Sequence, residues 1–237
     1  MLLTETHHAA ILVEFYKELM SVCGEARGYD VFMTAGRSYG SRRGRGRCTA
    51  PAVCCSPFAR DGNPLDTTSY FAYGELLCTE GGYAGELYEA FPGVVHEHQE
   101  ECMWAEVFHS ECRQCGVDYC REIDGAIVRG FNPTLQFECT QNMHLTRSCD
   151  FYYHGKEIAA DFMSTYSSRL APGASTKREM AYHCADMYDM YCYVIRSVLP
   201  DRAQDIISAV RGRLTEKYGL GFLPALDAYQ STDFNQI

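Results

Sequence analysis

The sequence predicts an α+β fold that is predominantly helical and contains a small antiparallel sheet. Apolar residues recur at helical spacing along most of the 237-residue chain. Residues 135–140 and 149–154 are instead rich in aromatic and β-favouring side chains, so we expect them to pair as two strands. Hydrophobic residues make up 46% of the chain, which is enough for a sizeable core in one domain.

The N-terminal part is predicted to consist of helices. A helix is expected over residues 5–23, because Ile11, Phe15 and Leu19 share one side of it. Another helix begins at Glu25 and runs into a stretch in which glycines and arginines are interleaved. Those glycines weaken the prediction of one continuous helix.

Short elements and turns are expected between residues 60 and 108. Residues 60–64 predict a turn through Gly-Asn-Pro, and Asp66 is expected to begin a helix. We predict a short helix over residues 84–91 and a strand leading out of a loop within residues 94–108.

The rest of the chain is predicted as one helix, the hairpin and further helices. The first helix is expected over residues 117–128, and Gly130 is expected to close it. Beyond the hairpin, helices are predicted over residues 155–164, 175–199 and 202–218, followed by an irregular tail.

The chain is predicted to form a single domain, residues 1–237, because no linker or internal repeat divides it. Within it we distinguish three parts. They are a helical N-terminal part (1–60), a mixed α/β core that contains a cysteine-rich site (94–155), and a helical C-terminal part (156–237).

Composition limits the partners that the protein is expected to bind. A net charge of -10 argues against general nucleic-acid binding. No apolar run approaches the ~20 residues of a membrane span, and no basic segment followed by an apolar one begins the chain. We therefore expect a cytoplasmic protein that binds neither nucleic acid nor a membrane. A homo-oligomer is compatible with the sequence.

Arginines concentrate in one glycine-rich stretch, at Arg37, Arg42, Arg43, Arg45 and Arg47. Guanidinium groups bind carboxylates in a bidentate fork, so this stretch predicts an anion subsite. The alternative is a solvated helix end or a flexible loop. The acidic remainder of the chain favours a small anionic substrate over a phosphate polymer.

Thirteen cysteines, irregularly spaced in a chain of this length, predict free thiols and no disulfide framework. Cys112 and Cys115 have metal-ligand spacing but lack a clean second pair. Glu138, Cys139 and Cys149 would complete a mixed site. We therefore predict no cofactor and no metal, and keep zinc as the alternative.

Cys120 and Asp124 stand four residues apart on one predicted helix, so their side chains point the same way. A carboxylate raises the pKa of a neighbouring thiol and does not activate it. It would instead hold a cationic or hydrogen-bond-donating substrate beside the sulfur. The alternative is a half-buried cysteine beside an exposed aspartate.

Three further polar residues are candidates for the same site. His98 suits a base, a ligand or a surface histidine. His183 lies on the apolar side of its helix, which fits either a core histidine or catalysis. Asn132, held by Pro133, would aim an amide at a substrate or would form a turn.

A set of short motifs follows in order between about residues 36 and 195. They are Tyr39-Gly40-Ser41-Arg42-Arg43-Gly44, Leu65-Asp66-Thr67-Thr68-Ser69-Tyr70, His98 with Cys102-Met103-Trp104, Tyr119-Cys120-Arg121-Glu122-Ile123-Asp124, Gly130-Phe131-Asn132-Pro133-Thr134-Leu135, Cys149-Asp150-Phe151 and Tyr182-His183. In this order the chain resembles the bacterial L-2-amino-thiazoline-4-carboxylic acid hydrolase family. Where that family often has Gly-Asp before its Cys-Asp-Phe, this loop reads His144 to Ser148.

The resemblance implies hydrolytic opening of a cyclic thioimidate-like ring to N-carbamoyl-L-cysteine. The nucleophile would be Cys120, or a water activated by His98 or His183. Asp124 would pair with the amidine-like nitrogens and make the ring carbon electrophilic.

The same resemblance implies a set of substrate-binding residues. Arg42 or Arg43 would bind the substrate carboxylate. The other positions assigned to substrate binding are Asn132, Cys102 and Trp104.

A second resemblance gives the alternative function. The hairpin from Glu138 to Cys149 is similar to that of small-molecule-binding domains related to 4-vinyl reductases, which hold zinc with a glutamate and several cysteines. Gln141 stands where one ligand cysteine would be expected. The alternative is thus a non-catalytic binding or sensory domain with zinc, and a zinc-dependent hydrolase is the rival among enzymes.

Overall fold

A computed structural model describes residues 1–48, 62–79, 81–155 and 162–235. Its helices are α1 (Glu5–Cys23), α2 (Glu25–Gly46), α3 (Thr67–Ala72), α4 (Met103–Glu111), α5 (Arg113–Phe131), α6 (Phe162–Gly173), α7 (Met180–Val198), α8 (Ala203–Tyr218) and α9 (Phe222–Asp227). Its strands are β1 (Leu76–Leu77), β2 (Tyr83–Phe91), β3 (Val94–Cys102), β4 (Gln136–Gln141), β5 (Cys149–His154) and β6 (Arg178–Glu179). The predominantly helical α+β class is confirmed.

The larger sheet has four antiparallel strands in the order β2-β3-β5-β4. The predicted hairpin is confirmed as β4 and β5, with Phe137 opposite Tyr153. A second, two-stranded parallel sheet joins β1 to β6. Because β6 occupies Arg178–Glu179, α7 begins at Met180 and not at the predicted residue 175.

The predicted helix over residues 84–91 is wrong, because this segment forms β2. Pro92 and Gly93 make a tight turn that returns the chain along β2 as β3, and the two strands pair over nearly their full length. Pairing with a neighbouring strand overrides the weak local preference of a short segment. The strand expected within residues 94–108 ends at Cys102, where α4 takes over.

Helix α2 runs unbroken through the arginine-glycine stretch because its glycines pack against α5. A Cβ at Gly44 would lie 2.1 Å from the Ile127 carbonyl oxygen. Gly130 does not close α5 as expected, since the helix continues to Phe131. A Cβ at Gly130 would lie 2.3 Å from the Ser41 carbonyl oxygen. These glycines therefore permit the close crossing of α2 and α5.

Replacing Gly44 with alanine is expected to lower the free energy of unfolding by about 3 kcal/mol, because the new methyl group overlaps backbone atoms of α5. A methyl group added at Gly212 on α8 would meet no described atom within 4 Å, so Gly212→Ala is the matched control. That control should gain about 0.5–1 kcal/mol through helix propensity. Urea titrations of both variants check the prediction, and equal shifts would contradict it.

The core joins the helices to the inner face of the larger sheet. Ile11, Phe15 and Leu19, predicted to share one side of α1, are all fully buried. They belong to a cluster that draws on α1, α2, α5, α7, α8 and on sheet residues such as Phe151 and Tyr153. The helical half of the molecule therefore supports the sheet from one side.

No helix is predicted at Phe222–Asp227, where the structure has α9 between α8 and the expected irregular tail of about the last dozen residues. Phe222 and Leu226 on α9 are buried, and the Phe222 ring stacks on Tyr218. Parts of the predicted turn at 60–64 and of the predicted helix at 155–164 lie outside the described residues. In the part of the chain that the structure describes, no helix has the length and apolar character needed to cross a bilayer.

Candidate active site

A cavity of about 370 Å³ lies between the inner face of the larger sheet and helices α2 and α5. Its walls include Cys120, Asp124, Arg43, Cys102 and Trp104, all of which were predicted site residues. A volume of this size suits a small organic ligand. The structure therefore brings together five side chains from three separate segments of the sequence.

Helix α5 presents Cys120 and Asp124 to the cavity one turn apart, as their spacing predicts. Burial and, to a smaller extent, the nearby Glu97 carboxyl raise the pKa of the Asp124 carboxyl, Arg43 opposes them, and the net result is a pKa of about 7. Asp124 therefore changes charge near neutral pH, which suits a group that must pair with a cation or move a proton.

Strand β3 contributes a second carboxyl group, Glu97, that the sequence motifs did not indicate. The Tyr153 hydroxyl donates a hydrogen bond of 2.8 Å to Glu97 Oε2, and the Gln99 side-chain amide donates one of 2.8 Å to Oε1. Burial raises the pKa of Glu97. Strand alternation from His96 to Gln99 would have placed Glu97 on the inner face, had the segment been assigned as a regular strand.

The opposite charge in the cavity comes from Arg43 and Arg47, which hold Glu75 between them. Arg43 Nε donates to Glu75 Oε1 at 2.6 Å, and Arg47 Nε donates to Oε2 at 2.7 Å. Burial would raise the pKa of Glu75, but the two guanidinium groups hold it well below its ordinary value. Two cations against one carboxylate leave a net positive charge at this wall.

Lys177 adds a third cation to the lining of the cavity. It precedes β6, so the small parallel sheet brings it next to Glu75, which precedes β1. Lys177 belongs to none of the sequence motifs, so the sequence did not indicate it as a site residue.

A Cys–His pair lies at the α5 wall. The Cys120 sulfur lies 3.3 Å from His144 Nε2, and His144 Nδ1 lies 3.2 Å from His109 Nε2. Burial raises the pKa of the Cys120 thiol well above its ordinary value. Burial lowers the pKa of His144 to about 4, so this ring is neutral at physiological pH. The resting pair is therefore a thiol beside an uncharged imidazole.

His144 was not among the predicted catalytic residues. It lies in the loop between β4 and β5, in the stretch that departs from the family pattern. The only sequence signal was a histidine near Cys149. Its contact with Cys120 depends on how the hairpin folds back on α5.

His98 was predicted to act in the active site, but its side chain does not line the cavity. His96 and His98 alternate with the inward-facing Glu97, and they lie on the outer face of the sheet. A register shift in the β2–β3 pairing then changes the alternation, so Cys102 faces the cavity again.

His183 does not line the cavity either. Its ring is fully buried behind Glu75, and His183 Nε2 lies 3.1 Å from the Glu75 carbonyl oxygen. Burial lowers its pKa to about 4. The core interpretation of His183 therefore fits the structure, and the predicted meeting of this imidazole with Cys120 and Asp124 in one cavity does not occur.

Arg42 and Asn132 serve other contacts. The Arg42 side chain lies on the side of α2 that faces α7. Its guanidinium pairs there with Asp186 and, at 3.1 Å, with Asp189. Asn132 donates to the Leu65 carbonyl oxygen at 2.7 Å and accepts from the Thr134 amide, as a turn-forming asparagine does. Neither side chain lines the cavity, so the substrate-binding predictions for these two residues are corrected.

Every cysteine that the structure describes is a free thiol, as predicted. The donors of the alternative zinc site, namely Cys112, Cys115, Glu138, Cys139 and Cys149, do not converge within the described ranges. Three potential ligand donors do converge there, but they are His96, His98 and Asp150.

Comparisons with family models, with curated proteins and with solved structures each return no match to this chain. The fold and the site define an α+β protein with a cavity that is lined by a thiol and by side chains of both charges. The resemblance to the thiazoline hydrolases stays a prediction that depends on its ordered motifs.

Proposed function

We propose that this protein is a hydrolase that opens small cyclic thioimidates, with L-2-amino-thiazoline-4-carboxylate as the preferred candidate substrate. The observation that supports the proposal is the composition of one cavity, which is lined by a thiol, two carboxyl groups and several cationic side chains. Such a substrate carries a carboxylate at one end and amidine-like nitrogens at the other. Its charges complement those of the cavity.

The basic wall would bind the substrate carboxylate. Arg43 and Arg47 are held in place by Glu75, and their excess positive charge is available to an anion together with that of Lys177. Asp124 and Glu97 face the other end of the ligand. An ionised Asp124 would pair with the protonated nitrogens and keep the ring carbon between nitrogen and sulfur electron-poor.

Cys120 is the proposed nucleophile, because its sulfur faces the cavity and contacts His144. In the first step Cys120 Sγ bonds to the ring carbon and its proton passes to His144 Nε2. The ring carbon–sulfur bond then breaks, and the departing sulfur takes up that proton as a thiol. The mechanism requires the His144 tautomer in which Nδ1 donates to His109 Nε2, because Nε2 is then free to receive the proton.

Water completes the proposed reaction. It attacks the carbon that is now attached to Cys120, with Asp124 as the base, and the bond to Cys120 breaks. One water is consumed, the Cys120 thiol is restored, and the product is N-carbamoyl-L-cysteine. In this proposal His144 takes the place of the bases suggested by the sequence, His98 and His183.

Incubation with L-2-amino-thiazoline-4-carboxylate is expected to release one new thiol and one carbamoyl product per substrate, measured by thiol titration and mass spectrometry. An acid quench during turnover should trap an adduct whose mass increase equals one intact substrate molecule, because the ring opens without losing an atom.

Cys120→Ala should abolish both the adduct and turnover, whereas Cys23→Ala should change neither, since Cys23 lies on α1 outside the cavity. Turnover that survives in Cys120→Ala would overturn the covalent route. Saturable binding without any ring opening would instead favour the non-catalytic binding domain.

A further inference from the structure

We propose that the outer face of the four-stranded sheet carries a second site, which binds one divalent transition-metal ion through His96, His98 and Asp150. The site lies on the opposite side of the sheet from the cavity. It is therefore independent of the proposed hydrolase activity and is tested without it.

The three donor groups already converge. One ligand atom from each of the three residues lies within 4.8 Å of the other two. His96 Nε2 is 2.6 Å and His98 Nδ1 is 2.8 Å from the same Asp150 oxygen. Register explains the convergence, because His98 stands directly opposite Asp150 and His96 is two residues away on the same face.

Neighbouring side chains hold His96 and Asp150 in position, as the outer contacts of metal sites do, while His98 Nε2 lies 3.4 Å from the exposed Glu100 carboxylate. The Tyr88 hydroxyl hydrogen-bonds His96 Nδ1, which leaves Nε2 directed at Asp150. The Tyr152 ring stacks on His96, with centroids 4.4 Å apart and planes 4° from parallel. The Gln141 amide donates to the other Asp150 oxygen.

These contacts involve all four strands of the sheet. Tyr88 comes from β2, the two histidines from β3, Gln141 from β4 and Asp150 from β5. A bound ion would therefore tie the inner strands to one another and, through Tyr88 and Gln141, order both edge strands.

The donor set indicates which ion would bind. Two imidazole nitrogens and one carboxylate oxygen suit Zn²⁺ and its neighbours in the first transition series, including Co²⁺. Three protein ligands leave at least one coordination position open. The His98 side chain is 30% exposed, so the cluster is open to solvent on the His98 side.

Co²⁺ titration of chelator-treated protein tests the proposal. We expect one ion per chain with visible d–d absorption, and without the near-ultraviolet thiolate-to-cobalt band that a cysteine site would give. Zn²⁺ should displace the cobalt spectrum and raise the Tm.

His98→Gln and Asp150→Asn should each weaken Co²⁺ binding by about 100-fold or more, whereas Tyr88→Phe should weaken it about tenfold. His154→Gln is the matched control, because His154 lies on the same strand and face as Asp150 and contacts Glu138 instead. Circular dichroism of His98→Gln checks that the fold is retained, since this partly exposed side chain is the least costly of the three to replace.

Equal Co²⁺ affinity in the wild type and in His98→Gln would overturn the site, as would a thiolate band in the bound spectrum. Asp124→Asn should bind Co²⁺ as the wild type does. Failure of the metal site is thereby separated from failure of the proposed hydrolase, which is measured by thiazoline turnover.

Discussion

Asp124→Asn is expected to lower kcat/KM for the thiazoline substrate about a thousandfold while making the folded protein more stable. The activity should fall because asparagine neither pairs with the protonated nitrogens nor accepts a proton from water. The stability should rise because the substitution removes a charge from a buried position beside Glu97. The two effects of one substitution have opposite signs.

The pH dependence of stability follows from the raised pKa of Asp124. The pKa of its carboxyl is about 7 in the folded protein and about 3.9 in the unfolded chain. The wild type therefore loses stability as the pH rises from about 4 to about 7, because the unfolded state ionises first. At pH 8 we expect Asp124→Asn to be more stable by about 2 kcal/mol, after allowance for water in the cavity.

Chemical denaturation at pH 5 and pH 8, together with a pH profile of kcat/KM, measures both effects. In the wild type kcat/KM should fall as the pH drops below about 7, since a protonated Asp124 does not hold a cation. Glu122→Gln is the control on the same helix, because Glu122 pairs with Arg37 on the protein surface and does not line the cavity. A variant Asp124→Asn that turns over within tenfold of the wild type would contradict the assigned role.

Glu75→Gln is expected to lower the free energy of unfolding by about 3–5 kcal/mol. The substitution leaves Arg43 and Arg47 buried without their shared carboxylate, to which they donate at 2.6 and 2.7 Å in the folded protein. This loss is a large fraction of the total stability of about 5–15 kcal/mol that is typical of a domain. The variant should therefore unfold at much lower urea concentration.

The pH dependence of Glu75 has the opposite sign to that of Asp124. The arginines hold the pKa of Glu75 well below its ordinary value, so its contribution is complete above about pH 4.3. It is lost as the pH falls further, and the gap between the wild type and Glu75→Gln should then narrow. Glu216→Gln on α8 is the exposed control and should change stability little. An equal loss in both variants would contradict the role assigned to Glu75 as the shared partner of the two buried arginines.

Local pattern explains why much of the fold was predictable. α1 and α8 follow from helical signals within single segments, and the β4–β5 hairpin follows from the aromatic and β-favouring composition of its two strands. The shared direction of Cys120 and Asp124 follows from helix geometry alone. In each case the residues that carry the signal are close in the sequence.

Contacts between distant segments explain what was not predicted. β2 forms because β3 pairs with it, and Gly130 lies inside α5 because α2 crosses there. Arg42 and Arg43 were equivalent in the sequence, but one turns to α7 and the other to the cavity. A difference of one residue rotates a helical side chain by about 100°, and only the packing shows which direction faces the cavity.

Residues close along the chain therefore specified most of the longer helices, the hairpin and the placement of a thiol and a carboxylate on one side of one helix. The partners of that pair, His144, Glu97 and the Arg43–Glu75–Arg47 group, became apparent when the chain was folded. The physical reason is that desolvation and charge pairing depend on which groups are neighbours in space. Here those neighbours lie far apart in the chain, and no periodic pattern in the sequence links them.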